Sequence, residues 1–289
     1  FVATVVDIAC DAFLIEQLSG RQRGIGNVAQ VGGGYAGLVF GSGLFVILAS
    51  TFGFAVAALA TACLVVLLSI PMALVREQPL AVLEGERHVP GLRSAFLRRA
   101  IWLGIAMTFV FEAGGRLVQA LSGPFLIDAA VPLSVLGIIN GSAGVVAGLA
   151  GTAIGGIAVH RLGAGRAVFA IACVQSAMLL LLAGFVLFGI AMQALLVGAV
   201  VLEGAVLAAG FVVVYSRLME LVSEAQPGVD FAVFQSASAM VAALCGFGGA
   251  ILASAIGYGW SFAVAALVAV AAIPALLAIE LGLTKGAQS

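Results

Sequence analysis

The chain has 289 residues, 63% of them hydrophobic and 9% charged, with a formal net charge of −1 and a mean hydropathy of +1.26. No soluble globular domain has that balance, and the absence of net positive charge argues against nucleic acid as a partner. Apolar runs of about twenty residues recur, each long enough to cross a bilayer as a helix. A backbone in lipid must satisfy its own hydrogen bonds, so the expected class is an all-α integral membrane protein.

The pattern predicts nine spans, at 1–18, 25–50, 52–74, 99–126, 132–158, 166–189, 191–217, 231–257 and 260–282. The first starts inside an apolar segment and lacks the basic region and small-residue cleavage site of a signal peptide; a fragment of a longer protein is expected. It carries Asp7 and Asp11, four residues apart and on one helix face. The second carries Gln30 and a row of glycines at Gly33, Gly37 and Gly41. The polar stretch 75–98, with Pro79, Glu84, Glu86, His88 and Pro90, reads as a linker between two bundles. The fourth span carries Glu112, Arg116 and Gln119, and the fifth a glycine row that includes Gly144, Gly148, Gly151 and Gly155. Glu203 lies in the seventh span and Gln235 in the eighth. Cys10, Cys63, Cys173 and Cys245 all fall in apolar runs without metal-ligand spacing, as buried small hydrophobes do.

The connections alternate in charge. One set holds Arg21 and Arg23, then Arg76 to Arg99, then Arg161 and Arg166, then Arg217, with Lys285 after the last span. The opposite set, around Ser50, Asp128, Ile190 and Gly259, holds no Lys or Arg. The positive-inside rule puts the Arg-bearing loops and the C-terminus in the cytoplasm. Arg116 is the one basic residue that does not fit. Trp102 and Trp260, near span starts, read as interfacial anchors.

The chain also repeats itself. Phe54-Ala-Val-Ala-Ala-Leu59 recurs as Phe262-Ala-Val-Ala-Ala-Leu267, and in the preceding span Gln30, Gly41 and Gly43 match Gln235, Gly246 and Gly248. Both copies share one membrane orientation, the parallel repeat that relates the halves of major facilitator transporters. The expected organisation is 1–74 as the remainder of an N-terminal bundle, 75–98 as a cytoplasmic linker and 99–289 as a six-helix C-terminal bundle. About nine of twelve helices, the fourth to the twelfth, would then be present.

The motifs agree with that organisation. Asp7-Ile-Ala-Cys-Asp11-Ala, then Arg23-Gly-Ile-Gly-Asn27-Val-Ala-Gln30-Val-Gly-Gly33, resembles the fourth and fifth helices of one major facilitator branch. That branch contains muropeptide permeases, acetyl-CoA transporters and siderophore permeases of the rhizobactin/pyochelin type. The Gly-Asn-x-x-Gln run and Val229-Asp230-Phe231-Ala-Val-Phe-Gln235-Ser236 look closest to the siderophore permeases. Gly155-Gly156-Ile-Ala-Val-His160-Arg161-Leu-Gly163-Ala-Gly-Arg166 resembles the cytoplasmic loop motif of the superfamily. Three positions depart from the pattern. His160 stands where the loop motif often has an acid. The Arg that follows a Tyr in the fifth helix of relatives is absent after Tyr35. Glu112 occupies the place of a Lys in the seventh helix.

Charges cost roughly 2.5–3.5 kcal/mol or more at a bilayer centre, so intramembrane ones face partners or an aqueous path. At 1.5 Å per residue Asp7 lies about 16 Å inside the cytoplasmic end, Glu112 about 20 Å from Arg99, and Glu203 is similarly deep. The resemblance implies that their helices line a central cavity. Asp7 and Asp11 either share a proton, meet a cation, or hold helices together. Glu112 and Arg116 are spaced as an ion pair, either structural or with Arg116 gripping a carboxylate or phenolate of a solute. Glu203 is either a proton carrier or a hydrogen bond to a neighbouring helix. The glycine rows let helices pack closely, or form the interface on which two halves rock. His160 reads as a loop contact.

Motifs of zinc proteases, serine hydrolases and phosphate-binding loops are absent, which argues against an enzyme and against an ATP motor. No cofactor or metal is expected. The reading is a proton-coupled permease of the inner membrane, monomeric, importing a siderophore or iron–siderophore complex. A muropeptide or other amphiphilic anion, efflux, and a non-transporting receptor are the alternatives.

Overall fold

The computed structural model describes residues 2–18, 22–74, 91–190 and 192–286, and the regular structure among them is helical. Helix α1 is Val2–Gln17, and α2 is Gln22–Leu38. A π-helical segment, Val39–Leu44, joins α2 to α3 (Phe45–Phe52), and α4 is Phe54–Leu74. A short α5 (Leu92–Phe96) leads to α6 (Arg99–Asp128). Helix α7 (Leu133–Ile138) continues through a second π segment, Ile139–Ala143, into α8 (Gly144–Leu162). Helices α9 (Ala164–Leu187), α10 (Gln193–Met219) and α11 (Pro227–Gly286) follow.

Six of these helices are long and apolar enough to cross a membrane among the described residues, and the last, α11, has length for two crossings. It breaks at Gly257, where φ is 78° and ψ 167°. Gly53, between α3 and α4, has φ 88° and ψ 161°, and Gly163, between α8 and α9, φ 80° and ψ 156°. Only glycine occupies that region readily. One residue without Cβ therefore turns the chain from one membrane helix into the next. Gly53 directly precedes the first copy of the Phe-Ala-Val-Ala-Ala-Leu repeat, and Gly257 lies five residues before the second.

The two π segments fall in the second and fifth predicted spans, which periodicity alone drew as uninterrupted. They coincide with Gly41-Ser42-Gly43 and Asn140-Gly141-Ser142. Glycine, serine and asparagine are weak helix formers, and a widened turn is tolerated there.

Contacts divide the chain into two compact units, Phe1–Gly32 with Pro90–Ser289, and Gly33–Val89. In the second unit α3 packs on α4, with Phe45 edge-to-face on Phe54 at 5.7 Å between ring centroids. In the first, α6 runs along α11, α10 is wedged against α8 and α9, α11 also packs on α9, and α1 rests on α11. Its core has two layers. One is built around Phe111, Leu218, Phe231 and Phe234, the other around Phe125, Leu179, Leu182 and Phe262. Of the stretch 75–98, residues 75–90 lie outside the described residues; α5 packs on α6 and α11.

The glycine row of α8 explains how α8 and α10 approach. A Cβ on Gly151 would lie 2.0 Å from the Ala205 carbonyl oxygen, and one on Gly155 would lie 2.7 Å from that of Ala209. Helix association in lipid rests on such close packing.

Candidate functional site

The polar centre of the first unit is assembled by α6, α10 and α11. Glu112 is fully buried. One turn later Arg116 donates from Nε to Glu112 Oε2 at 3.1 Å, from Nη1 to Gln119 Oε1 at 3.1 Å and from Nη2 to Ser238 Oγ at 3.0 Å. Ser238 of α11 in turn donates to Glu112 Oε2 at 2.7 Å. The hydroxyls of Tyr215 and Ser238 are 3.3 Å apart. The guanidinium carbon of Arg116 lies 4.4 Å from the centroid of Phe211, and Phe211 stacks on Tyr215 at 5.8 Å. An aromatic face beneath a cation is attractive, by about 0.5–2 kcal/mol.

The cluster has capacity left. A guanidinium carries five N–H donors, and the three contacts above engage one each. Glu112 Oε1 is buried without a hydrogen-bond partner. The side chain of Arg116 keeps 18% of its surface exposed, and that of Glu112 none. The partly exposed member of the pair is therefore the cation, and the carboxylate is fully buried.

The first two helices add a second polar contact. Asp11 is buried, accepts from Gln30 Nε2, and lies within electrostatic reach of the Tyr215 hydroxyl. Asn27 of α2 donates to Ser216 Oγ at 3.0 Å and approaches Met219 Sδ at 3.3 Å. A Cβ on Gly24 would meet Val159, and one on Gly156 would meet Val28, so α2 and α8 pass closely. Asp7 is on α1, but its side chain lies outside the described residues.

Glu203 stands apart from the Arg116 cluster. It is 3% exposed, and its Oε1 has no hydrogen-bond partner. The glycines of the second span differ from those of α8: a Cβ on Gly33, Gly37 or Gly41 meets nothing within 4 Å. A Cβ on Gly144 would meet the Ile139 carbonyl at 2.5 Å, and Gly148 is buried. Gln235 is half-buried. In the loop motif His160, Arg161 and Arg166 are exposed, Gly156 is buried against α2, and Gly163 makes the turn.

Sequence reasoning had no access to Ser238, Tyr215 and Phe211. A serine or an aromatic residue in an apolar helix carries no signal of its own. It also placed Arg98 and Arg217 only as topology markers. Arg98 pairs with the fully buried Asp230, which also accepts from Gln226 Nε2 at 2.7 Å and the Ser223 amide at 2.8 Å. Arg217 grips Glu280 with two bonds of 2.8 and 2.6 Å and Glu220 with one of 2.6 Å. Both networks tie helix ends together.

The all-helical bundle, with its short glycine turns, has the fold of major facilitator transporters. It matches the crystal structure of a bacterial homologue of the iron transporter ferroportin in an outward-facing state, with a TM-score of 0.70 over 96% of this chain and 69% of that one. Sequence identity to it is 16%, so this likeness concerns fold alone. Over 191 residues the chain is 27% identical to the anhydromuropeptide permease of Escherichia coli strain K12, and equally to that of O157:H7. The match covers 61% of this chain and 37% of the permease. No protein-family model matches the chain. It is a multi-pass membrane protein by composition and helix length.

Proposed function

We propose that the protein is a secondary active transporter that carries an anionic, amphiphilic solute by alternating access, coupled to protons. The observation that carries this is the Arg116 cluster. A bundle of lipid-compatible helices has no structural need for a cation, a buried carboxylate, two hydroxyls and a stacked aromatic pair at one place. The planar fork of Arg116 suits a carboxylate, and Phe211 with Tyr215 suits an apolar or ring-shaped portion beside it. The likeness to the anhydromuropeptide permeases favours a muropeptide-like solute. A siderophore or iron–siderophore complex is the second reading. It draws on the Gly-Asn-x-x-Gln run, whose Asn27 and Gln30 both engage polar groups on other helices. Under this proposal Asp11 and Glu203 belong to the solute and proton paths. The protein sits in the inner membrane with its C-terminus in the cytoplasm and works as a monomer, with lipid, solute and proton as its partners.

The test is uptake into proteoliposomes under an imposed pH gradient, with labelled anhydromuropeptide in one series and a ferric siderophore in the other. Accumulation that collapses with the gradient and is lost in Arg116→Leu/Glu112→Leu supports the reading. Binding without accumulation would favour a receptor, and failure with both solutes would remove the substrate assignment.

A further inference from the structure

Outside the Arg116 cluster the bundle buries a second pair of polar side chains. Gln175 of α9 is 2% exposed and Glu203 of α10 is 3% exposed. Gln175 Nε2 and Glu203 Oε1 both lack a hydrogen-bond partner, and none of the ion pairs among the described residues involves Glu203. The two helices are consecutive and packed together. Gln175 lies twelve residues before the end of α9 at Leu187, and Glu203 ten after the start of α10 at Gln193, which puts them at a similar depth. Helix α6 supplies the third wall at Gly115. A Cβ there would lie 2.2 Å from Gln175 Nε2 and 2.8 Å from Leu207 Cδ1. The amide therefore sits over the bare backbone of Gly115, beside Leu207, one turn from Glu203 on the same helix face.

Buried polar groups in native structures have partners. A carboxylate with neither cation nor hydrogen bond is far costlier to bury than the neutral acid. A carboxylic acid offers one O–H donor and a carbonyl acceptor, and a primary amide offers the complementary acceptor and donor. The two side chains do not bond to each other in the structure; a proton on Glu203 removes its unpaired charge and gives it a donor and an acceptor that complement the Gln175 amide. The titratable groups of the packed elements are engaged or distant. Glu112 and Arg116 of α6 bond to each other. Those of α8, His160 and Arg161, fall in its last turn. On α9, Arg166 falls in the first turn and Cys173 is exposed. On α11, Asp230 is paired with Arg98 and Glu280 with Arg217, Tyr258 donates to Asp128 of α6, and Cys245 donates to the Ala113 carbonyl. Tyr215, further along α10, contacts Ser238.

We infer that Glu203, with Gln175 on the helix packed beside it, forms a proton-binding site separate from the Arg116 cluster, in which Glu203 carries the proton and Gln175 is the positioning residue that the protonated acid engages. The proton exchanges with water; no electrons move. The site follows from packing alone, and its use in coupling rests on the transporter reading given above.

Infrared spectroscopy of the purified full chain in lipid nanodiscs tests the site without any solute or transport. A protonated-carboxyl stretch that shifts in heavy water and vanishes in Glu203→Gln is expected. Gln175→Leu and Gly115→Ala should move its frequency, because each withdraws the amide from the acid. Gly115→Ala displaces only the flexible ends of Gln175 and Leu207, so it keeps the test open if Gln175→Leu does not fold. Failure of Glu203→Gln to fold leaves the pH titration of the wild-type band as the readout. Absence of that band from the wild-type chain, or its survival in Glu203→Gln, would overturn the proposal. So would its loss on adding sodium at fixed pH, which would make the occupant a metal cation. An unmoved frequency in both Gln175→Leu and Gly115→Ala would remove Gln175 from the site. Because no solute is involved, the band can be present in a protein that transports nothing, or absent from one that transports, so the two readings fail separately.

Discussion

Arg116 is held by three side chains, and what happens when they are removed singly or together separates packing from recognition. Glu112→Leu leaves a guanidinium with its carboxylate gone, in a site where Glu112 was fully buried. Breaking one side of a buried pair costs about 3–5 kcal/mol, whereas replacing both with apolar groups is often neutral. The single variant is therefore expected to melt far below wild type in detergent, and Arg116→Leu/Glu112→Leu close to it. A double variant that folds and still accumulates solute at the wild-type rate would make the pair purely structural. The Glu112–Arg116–Gln119 stripe was legible in the sequence because spacings of three and four residues place side chains together on a helix. Ser238 was not: its contact with Arg116 spans 122 residues and exists only once α11 lies along α6. Gln175 was missed for the same reason, since an isolated glutamine in an apolar run announces no partner.

At the level of helices, two glycine classes predict opposite outcomes. Gly151 and Gly155 are where α8 touches the backbone of α10, so Gly151→Leu has no room to fit against the Ala205 carbonyl. Overpacking of that kind costs typically about 1–3 kcal/mol, and the melting temperature should fall accordingly. Gly198→Ala on α10 meets nothing within 4 Å. It should hold or raise stability, since glycine in a helix interior is about 0.5–1 kcal/mol worse than alanine. Equal losses in both variants would mean that α8 and α10 do not meet as described. At the turn, Gly163→Val forces a β-branched residue into a glycine-only conformation, a strain of about 1–3 kcal/mol, again read as a lower melting temperature. The spans themselves were legible, since a run of twenty apolar residues admits little besides a helix: 99–126 became Arg99–Asp128 and 166–189 became Ala164–Leu187. The π segments were not. Hydropathy averages over a window and is blind to where Asn140-Gly141-Ser142 widens one turn.

For the whole molecule, the distribution of charge sets a direction across the membrane that packing alone does not. Every basic residue but Arg116 lies on one set of connections, and each engaged Arg of that set within the described residues ties helix ends: Arg98 to Asp230, Arg217 to Glu280 and Glu220. The opposite set is anchored by neutral or acidic contacts instead. Tyr258 donates to Asp128 at 2.8 Å, and Gln193 to the Ala130 carbonyl at 3.0 Å. The positive-inside rule predicts that Arg161 is on the cytoplasmic side and Phe188, which is 86% exposed, on the other. The four native cysteines complicate a labelling test, since Cys10, Cys63 and Cys173 are exposed on the helices; all four are first replaced by alanine. In that background, Phe188→Cys should react with a membrane-impermeant thiol reagent added to intact cells, and Arg161→Cys only after the membrane is opened. Cysteine at Glu84, in the stretch between Arg76 and Arg87, should behave like Arg161→Cys. The reverse pattern, with Arg161→Cys labelled from outside and Phe188→Cys protected, would invert the protein in the membrane. The Arg98 and Arg217 networks would then belong to the outer face, and any solute path would run in the opposite sense.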